Sequence, residues 1–293
     1  MSDTVTIESG GIKARFRAQG AELISLTHDG AERIWQADPA VWGWHAPNLF
    51  PIVGALAGDK LHHKGESYSL PSHGFLRHTP CALVAHEADR CTWRLDDTAA
   101  TRAVYPFRFT LEIAYALEDE ALVGRWTLAN PGDEPLVASL GIHPAFRWPL
   151  DAGVAREAHR LVFESDEPRP IRRIAGKLIA PEVEPTPVQG RTLMLHDGLF
   201  DADAVIMDQP ASRAVVFGAP GGPAIAMDWD FPHLGIWTKP GAPYLCIEPW
   251  QGHASPAGFD GEFSDKPGTV TLAPGECRQW QYRIRPLARF PED

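Results

Sequence analysis

Apolar and polar residues alternate along much of the chain. Ile12, Ala14 and Phe16 are interleaved with Lys13, Arg15 and Arg17, and Leu111, Ile113, Tyr115 and Leu117 follow Thr110, Glu112 and Ala114 in the same rhythm. The period of two returns in Leu122, Gly124, Trp126 and Leu128, and again in Trp280, Tyr282 and Ile284. Successive side chains of an extended backbone point to opposite faces, so each run predicts a strand with one buried face. No stretch of comparable length carries an apolar stripe of helical period, and helix is expected only in short turns such as residues 39–44. Turn-forming groups separate the runs: Ser9-Gly10-Gly11, Asp29-Gly30, Asn130-Pro131-Gly132-Asp133, Gly221-Gly222-Pro223 and Pro274-Gly275-Glu276. Frequent strands without intervening helices predict an all-β protein, an antiparallel sandwich or barrel. The lack of a fixed-period repeat argues against a propeller or solenoid.

One segment breaks the pattern. At residues 165–192 prolines and charges replace alternation. Strands of the same character flank it, so it is expected to be a long surface excursion within a single domain spanning residues 1–293, not a linker between two domains.

Charge narrows the partners. The chain has 27 Lys and Arg against 38 Asp and Glu, a formal charge of -11, and a field of that sign repels phosphate backbones and anionic membranes. Nucleic acid and membrane surfaces are therefore not expected partners. Cys81, Cys91, Cys246 and Cys277 lie far apart with no CxxC pair, which predicts reduced thiols packed in the core, not disulfides or a zinc site. The N-terminal stretch MSDTVTIESGGIKARF lacks a basic segment followed by an apolar one, and no apolar run approaches the ~18 residues of a membrane span. A cytoplasmic protein, monomer or homodimer, is expected.

Three segments combine titratable groups with aromatics and turn residues, as a small-molecule pocket does. In PSHGFLRH, residues 71–78, His73 precedes a glycine and Arg77 adds a fixed cation; a plain surface turn is the competing reading. In GIHPAFRWP, residues 141–149, His143 ends the apolar run 136–142, where an imidazole can be a hydrogen-bonded core residue as readily as an acid. In YLCIEPWQG, residues 244–252, Glu248 follows four residues of an apolar run. A carboxylate there is costly to bury unless it is paired with an arginine or has chemistry to perform, and desolvation raises its pKa toward that of a general base. Asp203 and Asp228 are further candidates; Asp201 and Asp208 are expected to cap turns. An acid and a base facing each other across a ligand suit sugar ring opening, which needs one proton removed from the anomeric hydroxyl and another given to the ring oxygen. That reaction requires no metal and no cofactor, and Trp237 or Trp250 could supply an aromatic platform for the ring.

At these residues the sequence resembles the aldose 1-epimerase (galactose mutarotase-like) superfamily, especially its shorter bacterial members. The likeness runs from GAELISLTHDGAERIWQADPAVWGWHAPNLFPIVG at residues 20–54, through LPSHGFLRH, IHPAFRWP and LFDADAVIMD, to FPHLGIWTKPGAPYLCIEPWQG at residues 231–252. It implies a single antiparallel β-supersandwich with the sugar in a concave cleft. It further implies His143 as the general acid at the ring oxygen, Glu248 as the general base at the anomeric hydroxyl, and His73 as a hydrogen-bond partner of the anomeric oxygen. Asp203 then holds sugar hydroxyls. Galactose mutarotases carry an Asn-Arg motif in the segment corresponding to PIVGALAGDK, residues 51–60, where this chain has no arginine. One sugar contact is thus missing or supplied from elsewhere. Arg77 matches an arginine of the hexose 6-phosphate branch, although phosphate sites usually gather several donors. The expected function is metal-independent interconversion of aldose anomers. The alternatives are a hexose-6-phosphate mutarotase, a carbohydrate-binding protein without catalysis, and a cupin-like metal site of His73, His143 and Glu248. The last lacks a closely spaced ligand pair, since His62 and His63 alternate to opposite faces of any strand.

Overall fold

The computed structural model describes residues 4–291; residues 1–3, the start of the stretch read for a leader, and 292–293 lie outside it. The alternating runs form strands where the pattern places them: Ile12–Arg17, Thr110–Glu118, Ala121–Ala129 and Cys277–Leu287. The last three pair antiparallel at the centre of a nine-stranded sheet, with Trp126 opposite Trp280 and Ile113 opposite Trp126. Gly124 occupies an apolar position of its strand because the Tyr282 ring lies where its side chain would be: a Cβ there would sit 2.4 Å from Tyr282.

A second antiparallel sheet carries the strands Val205–Met207, His233–Trp237, Tyr244–Gln251, Leu140–Ile142 and Asn48–Leu49 in that order, with Ala145–Arg147 also paired to Tyr244–Gln251. A four-stranded sheet is built from the first strands of the chain. The sheets share a large apolar core that contains Trp126, Trp280 and Tyr115 from the first sheet, Leu234, Leu245 and Ile247 from the second, and Ile7, Phe16 and Leu26 from the third. Polar side chains fasten the sheets within that core. The Trp280 indole donates to Gln251 Oε1 at 3.3 Å, and Asn48 Nδ2 donates to Tyr115 Oη at 2.9 Å while that hydroxyl donates to the Ala21 carbonyl. Each satisfies a group whose desolvation otherwise costs about 1–3 kcal/mol.

Three expectations need correction. Residues 39–44 are not helical: Asp38 accepts from the Ala40 amide and closes a single turn at 39–41, after which the chain leads Trp42 inward. The run 136–142 is two strands, Leu136–Ala138 and Leu140–Ile142, because the chain changes sheets at Ser139 and pairs first with Val270–Leu272 and then with Tyr244–Gln251. Cys81, Cys91 and Cys246 are buried free thiols, but Cys277 is exposed, since it begins its strand before the alternation takes hold. Among the described residues no helix is long and apolar enough to cross a membrane.

Candidate active site

The strand Tyr244–Gln251 is buried along its whole length because both of its faces are covered. Leu245 and Ile247 point into the main core, whereas Tyr244, Cys246, Glu248 and Trp250 alternate onto the opposite face, among Trp42 and Trp237. Period two therefore puts the one carboxylate of the strand on the cleft side. Across the ladder Glu248 faces Gly235, and the missing side chain leaves room for the Trp250 ring, which a Cβ at Gly235 would meet at 2.1 Å. His143 follows the neighbouring strand Leu140–Ile142, with its amide donating to the Pro47 carbonyl at 3.1 Å.

His73 enters from a turn held under strain. Its φ is +64°, and the next residue, Gly74, has φ +69° and packs against Phe50, whose carbonyl oxygen a Cβ would approach to 2.3 Å. The His73 amide donates to the Gly54 carbonyl at 2.8 Å, and the Gly54 amide donates to His73 Nδ1 at 3.2 Å. An accepting Nδ1 puts the ring proton on Nε2. Asp203 also has left-handed backbone, φ +66°; its carbonyl accepts from Arg173 and its Oδ1 from the Ala204 amide. Side-chain-bearing residues in this region cost free energy that the surrounding structure offsets, and they concentrate at functional sites.

All six residues named from the sequence, His73, Arg77, His143, Asp203, Trp237 and Glu248, line one cleft of about 290 Å³. Trp250, the second platform candidate, lines it too. Asp228 does not: it borders a hollow of about 310 Å³ beside the strands of the nine-stranded sheet, with Glu164 and without a histidine. Asp201 follows the turn Asp197–Phe200, as expected, whereas Asp208 pairs with Arg172 at 3.1 Å and does not serve as a turn cap.

The centre of the cleft is a histidine–carboxylate pair. His143 Nε2 lies 3.2 Å from Glu248 Oε2, and among the described residues His143 Nδ1, Glu248 Oε2 and Trp250 Nε1 find no hydrogen-bond partner. Buried polar atoms left open in this way mark a place for a polar ligand or water. Burial, with Asp203 adding negative charge, pushes the Glu248 carboxyl well above its ordinary range. Burial pushes His143 well below the ordinary imidazole value, with His73 and Arg77 contributing. His73 is lowered to about 3 by burial and by Arg77, so it is a neutral donor at physiological pH.

The sequence reading missed two participants. Trp42 stacks on His143 at 5.1 Å and meets Trp237 at 5.9 Å, walling the acid–base pair on one side; its cluster of aromatics in residues 35–44 was the available signal. Cys246, buried behind Glu248 on the same strand face, does not line the cleft. Lys177 had no local signal. The 165–192 excursion folds a short hairpin, Ile174–Ala175 with Leu178–Ile179, whose Ile174, Gly176 and Lys177 form part of the cleft wall. Lys177 is bonded to Asp59 at 3.0 Å, so the segment lacking an arginine is met by a lysine from across the cleft.

The profile of the aldose 1-epimerase family matches residues 3–285. The LacX protein of Lactococcus lactis is 28% identical to this chain, in an alignment covering 96% of the chain and 98% of LacX. A galactose mutarotase related enzyme from Lactobacillus acidophilus superposes with a TM-score of 0.88 at 30% identity, covering 99% of both chains. A galactose mutarotase-like protein from Lactobacillus casei does so with a TM-score of 0.90 at 29% identity, covering 97% of this chain and 99% of that one.

Proposed function

The chain belongs to the aldose 1-epimerase family and has the galactose mutarotase-like β-supersandwich fold, and on that premise we propose that it interconverts the α and β anomers of a neutral aldose. The observation that carries this reading is the 3.2 Å juxtaposition of His143 and Glu248 at the base of a cleft of monosaccharide size. Glu248 takes the anomeric hydroxyl proton while His143 protonates the ring oxygen. The C1–O5 bond breaks, C1 becomes a carbonyl, and rotation about C1–C2 presents its other face. Closure reverses both proton transfers. The Nε2 proton of His73 is available to the anomeric oxygen, where charge develops, and its neutrality prevents it from competing as an acid. Asp203 accepts from ring hydroxyls, and the indoles of Trp42, Trp237 and Trp250 cover apolar faces of the sugar.

The protonation directions fit these roles once the pair is treated as one unit. A single proton shared between Glu248 and His143 gives either the neutral pair or the working carboxylate–imidazolium pair, at the same net charge. A second proton binds only when His143 accepts one below its ordinary value of 6.5, and the last leaves only when Glu248 ionises above its ordinary value of 4.5. The rate kcat/KM is therefore expected to show an acid limb below 6.5, where the second proton binds, and a separate alkaline limb where the last proton leaves. A steady-state profile rising through a single limb at pH 7 or above would contradict the shared proton.

Polarimetry or exchange NMR on glucose, galactose, arabinose and glucose 6-phosphate, against the spontaneous rate, tests the function. Acceleration of a neutral sugar supports it. Sugar binding without acceleration supports the carbohydrate-binding alternative. Arg77 and Lys177 both face the cleft, which keeps a hexose 6-phosphate in view, but both already have partners: Arg77 donates to the Ser72 carbonyl and lies over Trp44, and Lys177 pairs with Asp59. For a neutral substrate, Lys177→Ala is expected to change KM by less than about twofold, since an exposed charge contributes little. A rise of about tenfold or more confined to glucose 6-phosphate would match loss of a charge-assisted hydrogen bond and establish the phosphate reading.

A further inference from the structure

The strand that presents Glu248 to the cleft also places a thiol just behind it that sugar chemistry does not use. Cys246 precedes Glu248 by two residues and shares its face, and donor atoms of His143, Cys246 and Glu248 lie within 4.8 Å of one another. We propose that these three side chains form a binding site for one thiophilic divalent cation, of the Zn²⁺ or Cd²⁺ class, and that the cation excludes turnover while it is bound. The inhibitory half rests on the acid–base reading of His143 and Glu248; the binding half does not.

Donor chemistry selects the ion. One sulfur, one imidazole nitrogen and one carboxylate oxygen suit zinc and cadmium and disfavour magnesium and calcium, which take oxygen ligands. The residues are 8%, 0% and 1% exposed, and a dication tolerates such a place only if its charge is met. A thiolate and a carboxylate with a neutral imidazole leave the cluster without net charge, the two displaced protons passing to solvent and no atom changing oxidation state. Zinc bonds of about 2.0–2.3 Å set tetrahedral ligands about 3.3–3.8 Å apart, so closure about the ion needs movements of about 1 Å, within reach of side-chain rotation. His143 Nδ1 has no hydrogen bond to break, and Glu248 Oε2 has only its contact with His143 Nε2 to give up. His143 and Glu248 border the cleft while Cys246 lies behind them. The ion thus enters through the cleft, and its fourth position opens toward the space the sugar occupies. Bound there, it occupies the lone pairs that the proton transfers need.

Cadmium titration of the purified protein, followed by the thiolate-to-cadmium charge-transfer absorbance, tests the site without reference to activity. One equivalent is expected to raise the band, and Cys246→Ala to abolish it and weaken binding by at least about 100-fold, the upper range for losing even an outer partner of a ligand. Because Cys277 is exposed, the titration is repeated in Cys277→Ala, where the band is expected to persist. In parallel, zinc is expected to inhibit anomer interconversion reversibly, with chelator restoring it, and Cys246→Ala is expected to keep its basal rate and lose the inhibition. No band in the unaltered protein, or the same band and affinity in Cys246→Ala, overturns the site. Binding with no activity on any sugar would overturn the mutarotase reading and leave the site standing, and binding without inhibition would overturn the exclusion.

Discussion

Glu248→Gln is expected to lower the rate of anomer interconversion by about 10²–10⁴-fold, the range for loss of a positioned general base, with the fold intact. Glutamine preserves shape and volume in a strand that is buried on both faces. Burial already favours the uncharged carboxyl, so an uncharged amide costs little stability, but it cannot take up the anomeric proton. His143→Ala is expected to lose rate on the same scale, with a larger stability cost because the ring stacks on Trp42. Since acid and base act in one ring opening, the double variant is expected to be scarcely slower than either single one. Exchange NMR on the preferred sugar, with thermal melts by circular dichroism, reads both effects. Near-normal turnover in either folded single variant would remove that residue from the acid–base assignment.

Gly74→Ala is expected to destabilise the protein by about 3 kcal/mol or more, which urea unfolding measures. Two costs combine: a side chain in left-handed backbone, about 1–2 kcal/mol, and a forced shift in a packed interior, about 1–3 kcal/mol. At Gly74 the second is unavoidable because the Cβ would meet the Phe50 carbonyl, backbone that cannot swing aside. Gly65 separates the two. It has φ +80° with no atom within 4 Å of a Cβ, so Gly65→Ala is expected to show the backbone cost alone. Equal losses in the two variants would mean that close packing against Phe50 does not hold this turn. The same substitution is expected to disturb His73, whose ring is fixed by the neighbouring exchange of hydrogen bonds with Gly54.

Much of the cleft was legible because it follows from local rules. Alternation fixed the core-facing residues of Thr110–Glu118 and Ala121–Ala129, since the pleat sends neighbours to opposite faces whatever the sheet around them, but Ala116, Ala121 and Val123 on the other face are buried as well. A carboxylate in an apolar strand and histidines beside turn residues stood out against the cost of burying them, and the resemblance supplied their roles. Other positions carried no such mark. Asp228 has the same surroundings in sequence as Asp203, acidic residues beside apolar runs, yet it faces a different hollow.

The sequence by itself determined the strands, the faces they bury and the residues whose burial demands an explanation, because those depend on the period of the pleat and on solvation of single side chains. Tertiary structure alone decided the rest. The change of sheets at Ser139, the arrival of Lys177 opposite Asp59, the placing of Trp42 against His143 and the grouping of Cys246 with the acid–base pair all join segments distant along the chain. Period two says which side of a strand a residue occupies, but which other strand or loop covers that side is set by pairing register and by the packing of whole sheets, where the free energy is shared among residues that no local pattern connects.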